Sequence, residues 1–465
     1  MPASVSADTL RRPGERHAWG FIALAALVLA WAALWNGYPI LFSDSGTYIR
    51  AALEQRYYPD RPIFYSLFIL PFHLGLTLWP IVAAQCIVAA WVIERATALL
   101  PDDTLAGRGG IRIAMLAVLA FATGLPWSTG QVSPDFLAPL LVLCLLLLLL
   151  RDQVLGTVAR LACALVLLAA QAAHFGHIPL AIGVCIAILV LAALMGARVP
   201  RRAILLVAAT SLAAIAAVVA VNYAALGTLT FSPVSSVLLL GRLVQSGTAQ
   251  QFLATACETA SYGLCAYRAE LPNELNAFFF DFNGTIAALG GPLAFNAEAG
   301  KLVRDIIADS PWRHLGMAIQ LTVAQFFHFA TGWGLHPFGE ERSVVITINR
   351  HFAHEAARFM ASRQQTDALH FDTLNLVHVP MGFLLLAASV AALVLAVLWR
   401  RTTAGIVLAT VFLALAANAF LGGALSAGES RYQNRMIPLL AIALAIAAID
   451  LRAARPRLTA DARRA

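Results

Sequence analysis

The stretch that decides the fold is WGFIALAALVLAWAALWNGYPIL (residues 19–41), which is followed by FSDSGTY (residues 42–48). The first part is a continuous apolar run, longer than the roughly 20 residues that an α-helix needs to cross a bilayer. Asp44 comes directly after this run. Because a carboxylate at the mouth of a membrane span is costly to desolvate, we expect Asp44 to face water, a metal or a reacting substrate.

The composition of the whole chain is that of a membrane protein. Hydrophobic residues make up 60% of the 465 residues and charged residues only 12%, whereas a soluble domain carries roughly 25% charged residues. The net charge of +7 comes mainly from arginines in short clusters between apolar runs, as in cytoplasmic loops, and not from a nucleic-acid-binding surface. We predict an all-α, polytopic helical membrane protein that contacts the lipid bilayer and no nucleic acid.

The apolar runs predict about ten membrane spans, with twelve as the upper count. The arginines beside each run place both termini on the cytoplasmic side of the membrane, and the first span is expected to be an uncleaved anchor. The predicted spans are Trp19 to Leu41, Trp79 to Leu99, Ile111 to Trp127, the run ending at Leu150, Val154 to Ala173, the run ending at Arg198, Ala203 to Ala224, Pro380 to Leu398, Thr403 to Ala424 and Met436 to Ile449.

Two further apolar segments are ambiguous. Residues 63–78 are interrupted by Pro71 and predict a helix that lies at the interface or re-enters the membrane. Residues 314–335 carry polar residues such as Gln325 and predict a helix on the membrane surface or against the bundle. A crossing by the second segment alone would put arginines 400 and 401 outside, whereas a crossing by both segments gives twelve spans.

The spans divide the chain into three parts. Residues 1–224 form a bundle of seven spans with a first outer loop at 42–62, and residues 380–465 form the last spans and a cytoplasmic tail. Between them, residues 225–379 form one mostly helical periplasmic insertion, which is too long to be structureless. Within this insertion Cys257 and Cys265 flank a polar stretch, so a disulfide and two free thiols are the alternatives.

Five polar clusters fall on the outer side in this topology, and this convergence points to a functional site. They are Asp44 with Ser45, Thr47 and Tyr48; Ser133, Pro134 and Asp135; His174 and His177; Asp281, His336, Glu340, Glu341 and Arg342; and residues 429–435, which include Glu429, Arg431, Tyr432 and Arg435.

Each cluster also has a structural interpretation. Asp44 is a favoured N-cap residue for a helix that begins at Ser45, and Ser133-Pro134-Asp135 resembles a helix start. His174 and His177 are three residues apart, on one face if the segment is helical, but two histidines without a third ligand are an incomplete metal site.

Arginines 431 and 435 lie outside, against the trend for positive charge, so their placement needs a reason. A guanidinium binds phosphate oxygens bidentately, which favours a phosphate or pyrophosphate partner. The structural alternative is a salt bridge from Arg431 to Glu429 or Asp44.

This layout resembles the integral-membrane glycosyltransferases of the GT-C fold, which use polyprenyl-phosphate sugars. Those proteins carry a catalytic acid in the first outer loop, where this chain has Asp44, and a re-entrant segment before the second span, as in residues 63–78. Many also have arginine and tyrosine before a late span, which Arg431-Tyr432 resembles. Many members have two adjacent acids in the first loop, whereas Asp44 is followed by Ser45.

The resemblance implies a bacterial inner-membrane protein that transfers a sugar from a polyprenyl-phosphate donor to an envelope glycan, lipid or protein acceptor at the outer face of the membrane. Asp44 is the expected catalytic base, and the expected substrate-binding residues are Asp135, Arg431, Tyr432, Arg435, His174 and His177. The resemblance identifies no cofactor, and a divalent cation shared by Asp135 stays open.

Two other functions compete with this interpretation. O-antigen ligases and polymerases also have ten to twelve spans and a large outer loop, and His336, Arg342 and His351 would then carry the chemistry. A transporter is expected to place polar or broken helices at mid-membrane, whereas the apolar runs here are clean and polarity collects at their outer ends.

Overall fold

The computed structural model describes residues 13–99, 108–280 and 283–452, which form helices joined by turns. Within these ranges the only β-type pairing is one isolated parallel bridge, between Ile40 and Gln131, so the predicted all-α class is confirmed.

Eight helices in the described residues are long and apolar enough to cross a membrane. They confirm a multi-pass helical membrane protein, while the number of crossings stays a prediction. The eight helices are Ala18–Asn36, Trp79–Ala96, Pro134–Arg151, His177–Leu194, Arg201–Leu226, Phe371–Leu398, Thr402–Ala424 and Ser430–Arg452. The remaining α-helices are Ser45–Leu53, Phe64–His73, Arg108–Phe121, Leu125–Gly130, Thr157–Ala173, Ser235–Gln245, Thr248–Ala256, Leu275–Phe280, Thr285–Ala288, Gly291–Asp309, Pro311–Phe326, Ser343–His351 and Ala356–Met360.

These eight helices match eight of the ten predicted spans, and the boundaries differ in two informative places. The first helix ends at Asn36 and not at Leu41, because Gly37 adopts a left-handed conformation (φ +80°) and terminates it. The helix Phe371–Leu398 begins nine residues before the predicted start at Pro380, which lies inside it. Predicted spans three and five correspond to the shorter helices Arg108–Phe121 and Thr157–Ala173.

The two ambiguous segments both form short helices. Phe64–His73 has ten residues, about 15 Å at 1.5 Å per residue and so about half of the hydrocarbon core. Pro311–Phe326 lies against the end of the helix Thr402–Ala419. Close contact is possible there because Gly423 has no side chain, and an added Cβ would lie 2.6 Å from the backbone oxygen of Leu321.

Ion pairs at one end of the bundle, which we call the arginine end, fix the ends of several helices. Asp152 is buried at the end of the helix Pro134–Arg151 and forms ion pairs with Arg160 and Arg202, each at 2.5 Å. Arg401 pairs with Asp450 in the same way. The helix Pro134–Arg151 separates the arginine end from Asp135 by roughly 25 Å, at 1.5 Å per residue.

The insertion, residues 225–379, has two parts. Residues between Val234 and Ile306 pack into a separate hydrophobic core, which we call the insertion core. Residues from Phe329 to Phe371 instead pack against the bundle and the first loop. The insertion is mostly helical, as predicted. Its helices include Gly291–Asp309, and Ser343–His351 and Ala356–Met360, which are separated near Phe352.

A disulfide joins Cys257 and Cys265 beside the insertion core. Its Cα–Cα distance is 5.7 Å, which is within the usual range for a disulfide. The four other cysteines are free, and three of them are buried in the bundle.

Candidate functional site

The first loop is held in place by Ser45, a residue that sequence reasoning treated only as the neighbour of Asp44. Its hydroxyl is fully buried, accepts from the backbone N–H of Phe42 (2.8 Å) and donates to the carbonyl of Val132 (2.7 Å). The bridge between Ile40 and Gln131 lies beside these bonds. The loop that carries Asp44 is thereby fixed next to the turn that carries Asp135.

The helix Ser45–Leu53 also packs closely on the helix Ser343–His351 of the insertion. A Cβ at Gly46 would lie 2.6 Å from the carbonyl oxygen of Ser343, so only glycine permits this contact. Arg50 donates to the Ser343 hydroxyl at 2.8 Å, and His351 lies 2.9 Å from Glu54. Hydrogen bonding to His351 is the main reason why the pKa of Glu54 is lowered.

Asp44 stands at the N-cap position of this helix, yet its side chain makes no cap hydrogen bond. Its Oδ1 instead lies 3.1 Å from Nη1 of Arg61, which also contacts Asp60 at 2.5 Å. The two carboxylates raise the pKa of Arg61 against the opposing effect of burial. The Asp44 side chain is 29% exposed and makes no capping hydrogen bond, so its carboxylate is accessible to solvent or a substrate.

Asp135, at the start of the helix Pro134–Arg151, links that helix to the last spanning helix, Ser430–Arg452. The cap of its helix is Ser133, whose hydroxyl accepts from the backbone N–H of Asp135 at 3.4 Å. One carboxylate oxygen of Asp135 is 3.1 Å from Arg431 and the other is 2.5 Å from Arg435. All three side chains are mostly buried, so Asp135 is placed to position two guanidinium groups.

Arg431 is held on several sides. Its Nε donates to Glu429 at 2.6 Å and its Nη2 to the Tyr432 hydroxyl at 3.2 Å. Its guanidinium carbon lies 4.3 Å from the ring centre of Phe42, 4.6 Å from Tyr432 and 5.7 Å from Trp333. The expected salt bridge to Glu429 is therefore present, and N–H groups of both terminal nitrogens remain beyond these bonds.

The environment of Tyr48 shows that these charges form one group. Tyr48 is 4% exposed and lies with its ring centre 5.4 Å from the Arg61 guanidinium carbon. Burial raises its pKa, and the charges of Arg61, Asp44, Asp135 and Arg431 all act on it. Three segments far apart in sequence, the first loop, the turn at Asp135 and residues 429–435, thus bring their charged side chains to one end of the bundle, which we call the site end.

His174 and His177 belong to the same end, but the expectation that they share a helical face is wrong. His174 is the extended residue after the helix Thr157–Ala173, and His177 begins the next helix. The turn between them brings the ring centres to 4.8 Å. Burial, followed by repulsion from Arg435, lowers the pKa of His174 to about 3, so this ring is neutral at physiological pH.

No group of three or more histidine, cysteine, aspartate or glutamate side chains is arranged to hold a metal ion in the part of the chain that the structure describes. Nδ1 of His177 is 2.7 Å from the carbonyl of Ala170, which assigns it as the donor nitrogen. Its Nε2 is buried without a partner among the described residues.

The residues expected for a ligase or polymerase lie elsewhere. Arg342 is exposed and pairs with its neighbour Glu341 at 3.7 Å. His351 contacts Glu54 on the far end of the helix Ser45–Leu53, and His336 is exposed beside Phe338. Asp281 lies outside the described residues.

Sequence reasoning missed Arg61 and the aromatic contacts of Arg431. A signal for Arg61 existed, because it is an arginine in a predicted outer loop, the same exception that singled out Arg431. The contacts of Arg431 with Phe42 and Trp333 had no local signal, since these rings come from loops about 390 and 100 residues earlier in the chain.

Comparison of the chain with protein-family models, with curated proteins and with solved structures found no match in any of the three.

Proposed function

We propose that the protein is a membrane glycosyltransferase that moves a sugar from a polyprenyl-phosphate donor to a hydroxyl acceptor. The observation that carries this proposal is that a partly exposed first-loop carboxylate, Asp44, lies at the same end of the bundle as two mostly buried arginines of the last spanning helix, Arg431 and Arg435. The lipid chain of such a donor would lie among the apolar helices, and its phosphate would reach the site end.

Arg431 is the group proposed to bind the phosphate. Phosphate oxygens can accept from the N–H groups that its contacts with Glu429 and Tyr432 leave available. Asp135 and the surrounding rings restrict its rotation, so a phosphate would meet a preorganised donor. Arg435 is more deeply buried and pairs with Asp135, which suits a supporting role.

Asp44 is the proposed general base. The acceptor oxygen attacks the anomeric carbon while the bond from that carbon to the phosphate oxygen breaks. The proton of the acceptor hydroxyl passes to Asp44, and the bonding electrons leave with the polyprenyl phosphate, whose added charge Arg431 stabilises. Ion pairing of Asp44 with Arg61 involves one carboxylate oxygen, which leaves the other available to the acceptor.

A ligase- or polymerase-like enzyme is the alternative, but no observation favours it. Its expected residues Arg342 and His351 pair with glutamates and do not contact Arg431 or Arg435.

A transporter is also less well supported. Of the eight candidate spans, Ala18–Asn36 breaks at Ala30, Ser430–Arg452 breaks at residues 435–437, and Thr402–Ala424 ends in a π-helical segment from Phe420 to Ala424. Each interruption lies in the half of its span nearer the site end, whereas a transporter is expected to have broken helices at mid-membrane.

The test replaces Asp44 by Asn and uses Asp60→Asn as its matched control. Both changes remove one carboxylate from the same arginine, Arg61. Purified protein in liposomes is supplied with a panel of polyprenyl-phosphate hexoses, and loss of the sugar from the lipid is measured.

We expect Asp44→Asn to lower transfer at least about 100-fold, the lower range for general base catalysis, with unchanged expression. Asp60→Asn should retain most of the transfer. Near-normal transfer by Asp44→Asn, or equal losses in both variants, would refute the catalytic assignment, because equal losses would mean that Asp44 serves only to balance Arg61.

A further inference from the structure

A polar cleft opens beside Arg431 at the site end, between the insertion core and the loop that precedes the last spanning helix. Its volume is about 220 Å³, which is below the 300 Å³ or so of a pocket for a drug-sized ligand. It therefore suits one small polar unit. The lining residues are Gln245, Glu274, Leu275, Asn276, Trp333, Ala427, Gly428 and Glu429.

The polar groups of the cleft offer both donors and acceptors. Oε1 of Gln245 accepts from the buried Arg242 at 2.9 Å, which leaves the amide N–H groups of Gln245 free to donate. Nδ2 of Asn276 is 3.5 Å from Glu429, which leaves its Oδ1 free to accept. Glu274 is exposed and adds a carboxylate acceptor.

Trp333 supplies a flat apolar surface in the same wall. Trp333 is 37% exposed, so a ligand in the cleft can reach its ring. The ring also lies 5.9 Å from that of Phe42 and 5.7 Å from the guanidinium carbon of Arg431. A ligand on Trp333 would therefore be next to the group that is proposed to hold the phosphate.

We propose that this cleft is the acceptor subsite and that the acceptor is a saccharide, bound through one sugar ring. A sugar ring has an apolar face that can lie on an indole and a rim of hydroxyls that both donate and accept hydrogen bonds. Trp333 matches the first property, and Gln245, Asn276 and Glu274 match the second. This inference rests on the proposed function and selects a glycan over a protein or a plain lipid as acceptor.

Glu429 connects the proposed acceptor subsite to Arg431, the proposed phosphate-binding residue. Its buried carboxylate bonds Arg431 on one side and approaches Asn276 on the other. The acceptor and the phosphate would therefore contact opposite sides of one ion pair. This arrangement brings an acceptor hydroxyl towards the donor without requiring movement of the insertion core.

The experiment measures binding of free sugars to the full-length protein in nanodiscs by saturation-transfer NMR. The probes are glucose, galactose, mannose, N-acetylglucosamine and their β-linked disaccharides. Glu274→Gln and Trp333→Leu test the cleft. Glu270→Gln and Trp312→Leu are matched controls, because both residues are exposed outside the cleft.

We expect at least one probe to bind, with affinity reduced up to about tenfold by Trp333→Leu and several-fold by Glu274→Gln, and unchanged in both controls. No binding by any probe, or an equal loss in test and control variants, overturns the subsite. Glu274→Gln keeps the test decisive if Trp333→Leu fails to fold.

The same samples separate this inference from the proposed function. Asp44→Asn should bind the sugar as wild type does while losing transfer. Sugar binding that depends on Glu274, in a wild-type protein that consumes no polyprenyl-phosphate hexose, supports the cleft and refutes the transferase. Transfer without sugar binding in the cleft supports the transferase and refutes the acceptor subsite.

Discussion

Replacing Ser45 by Ala tests whether this residue fixes the first loop. The substitution removes the acceptor for the Phe42 N–H and the donor to the Val132 carbonyl, at 2.8 and 2.7 Å. Leaving a buried polar group unsatisfied costs about 1–3 kcal/mol. The loss of both bonds therefore predicts a destabilisation on the order of 3 kcal/mol, with lower transfer because the position of Asp44 is no longer fixed.

The free energy of unfolding is measured by SDS titration in mixed micelles, followed by tryptophan fluorescence. Ser43→Ala is the matched control, since Ser43 is exposed and such surface changes stay within about 0.5 kcal/mol. A loss below about 1 kcal/mol for Ser45→Ala, or an equal loss for Ser43→Ala, would show that these two hydrogen bonds do not hold the loop.

Ser45→Asp extends this test to the chemistry, because it creates the pair of adjacent acids that many GT-C enzymes carry. Here the position is fully buried and an ionised carboxylate cannot donate to Val132. We expect this variant to be less stable than Ser45→Ala, since an unpaired charge costs more than a missing hydrogen bond. A stable Ser45→Asp variant with increased transfer would contradict this expectation.

Three further predictions concern the surroundings of the site. Glu429→Gln should raise the affinity for polyprenyl phosphate roughly tenfold, because it removes an anion from Arg431 while keeping a hydrogen-bond acceptor; lower affinity in a lipid-binding assay would contradict this. The pKa of His174 is about 3 in the folded protein and about 6.5 in the unfolded chain, so the unfolded chain is protonated first and the free energy of unfolding falls as the pH drops from about 6.5 towards 3. In SDS titrations His174→Asn should therefore lose less stability than wild type between pH 7.5 and 5. Replacing Cys257 and Cys265 by serine should destabilise the insertion core by about 2–3 kcal/mol, as expected for a short loop, and limited proteolysis should then cut that core faster.

Much of the fold could be predicted because the bilayer constrains it strongly. Backbone groups in lipid must be bonded within their own helix, so long apolar runs predict spanning helices almost independently of their packing. The boundaries were harder, because they depend on single residues. Gly37 ends the first helix by a left-handed turn, and Pro380 is accommodated inside a helix where the sequence pattern predicted a start.

The site was only partly predictable, for a different reason. The position of a charge beside a span marks it as costly, which singled out Asp44, Asp135 and Arg431. Which charges pair is a tertiary property. Nothing local indicates that Asp135 binds two arginines about 300 residues away, or that Asp44 pairs with Arg61 and leaves the helix uncapped.

The charge balance of the site end explains how Asp44 could act as the general base without a second acid beside it. The paired groups comprise three arginines and four acids, namely Arg61, Arg431, Arg435, Asp44, Asp60, Asp135 and Glu429. A phosphodiester donor would add one more negative charge, and its departing phosphate gains another. In the proposed reaction the acceptor proton neutralises Asp44 as that second charge forms. Negative charge thus moves from the Arg61 side of the group to the Arg431 side, and the total does not change. A buried group of fixed ion pairs favours such a shift, because its dipoles are already oriented and little solvent has to reorganise. A second acid at position 45 would add charge that no arginine among these pairs is placed to balance.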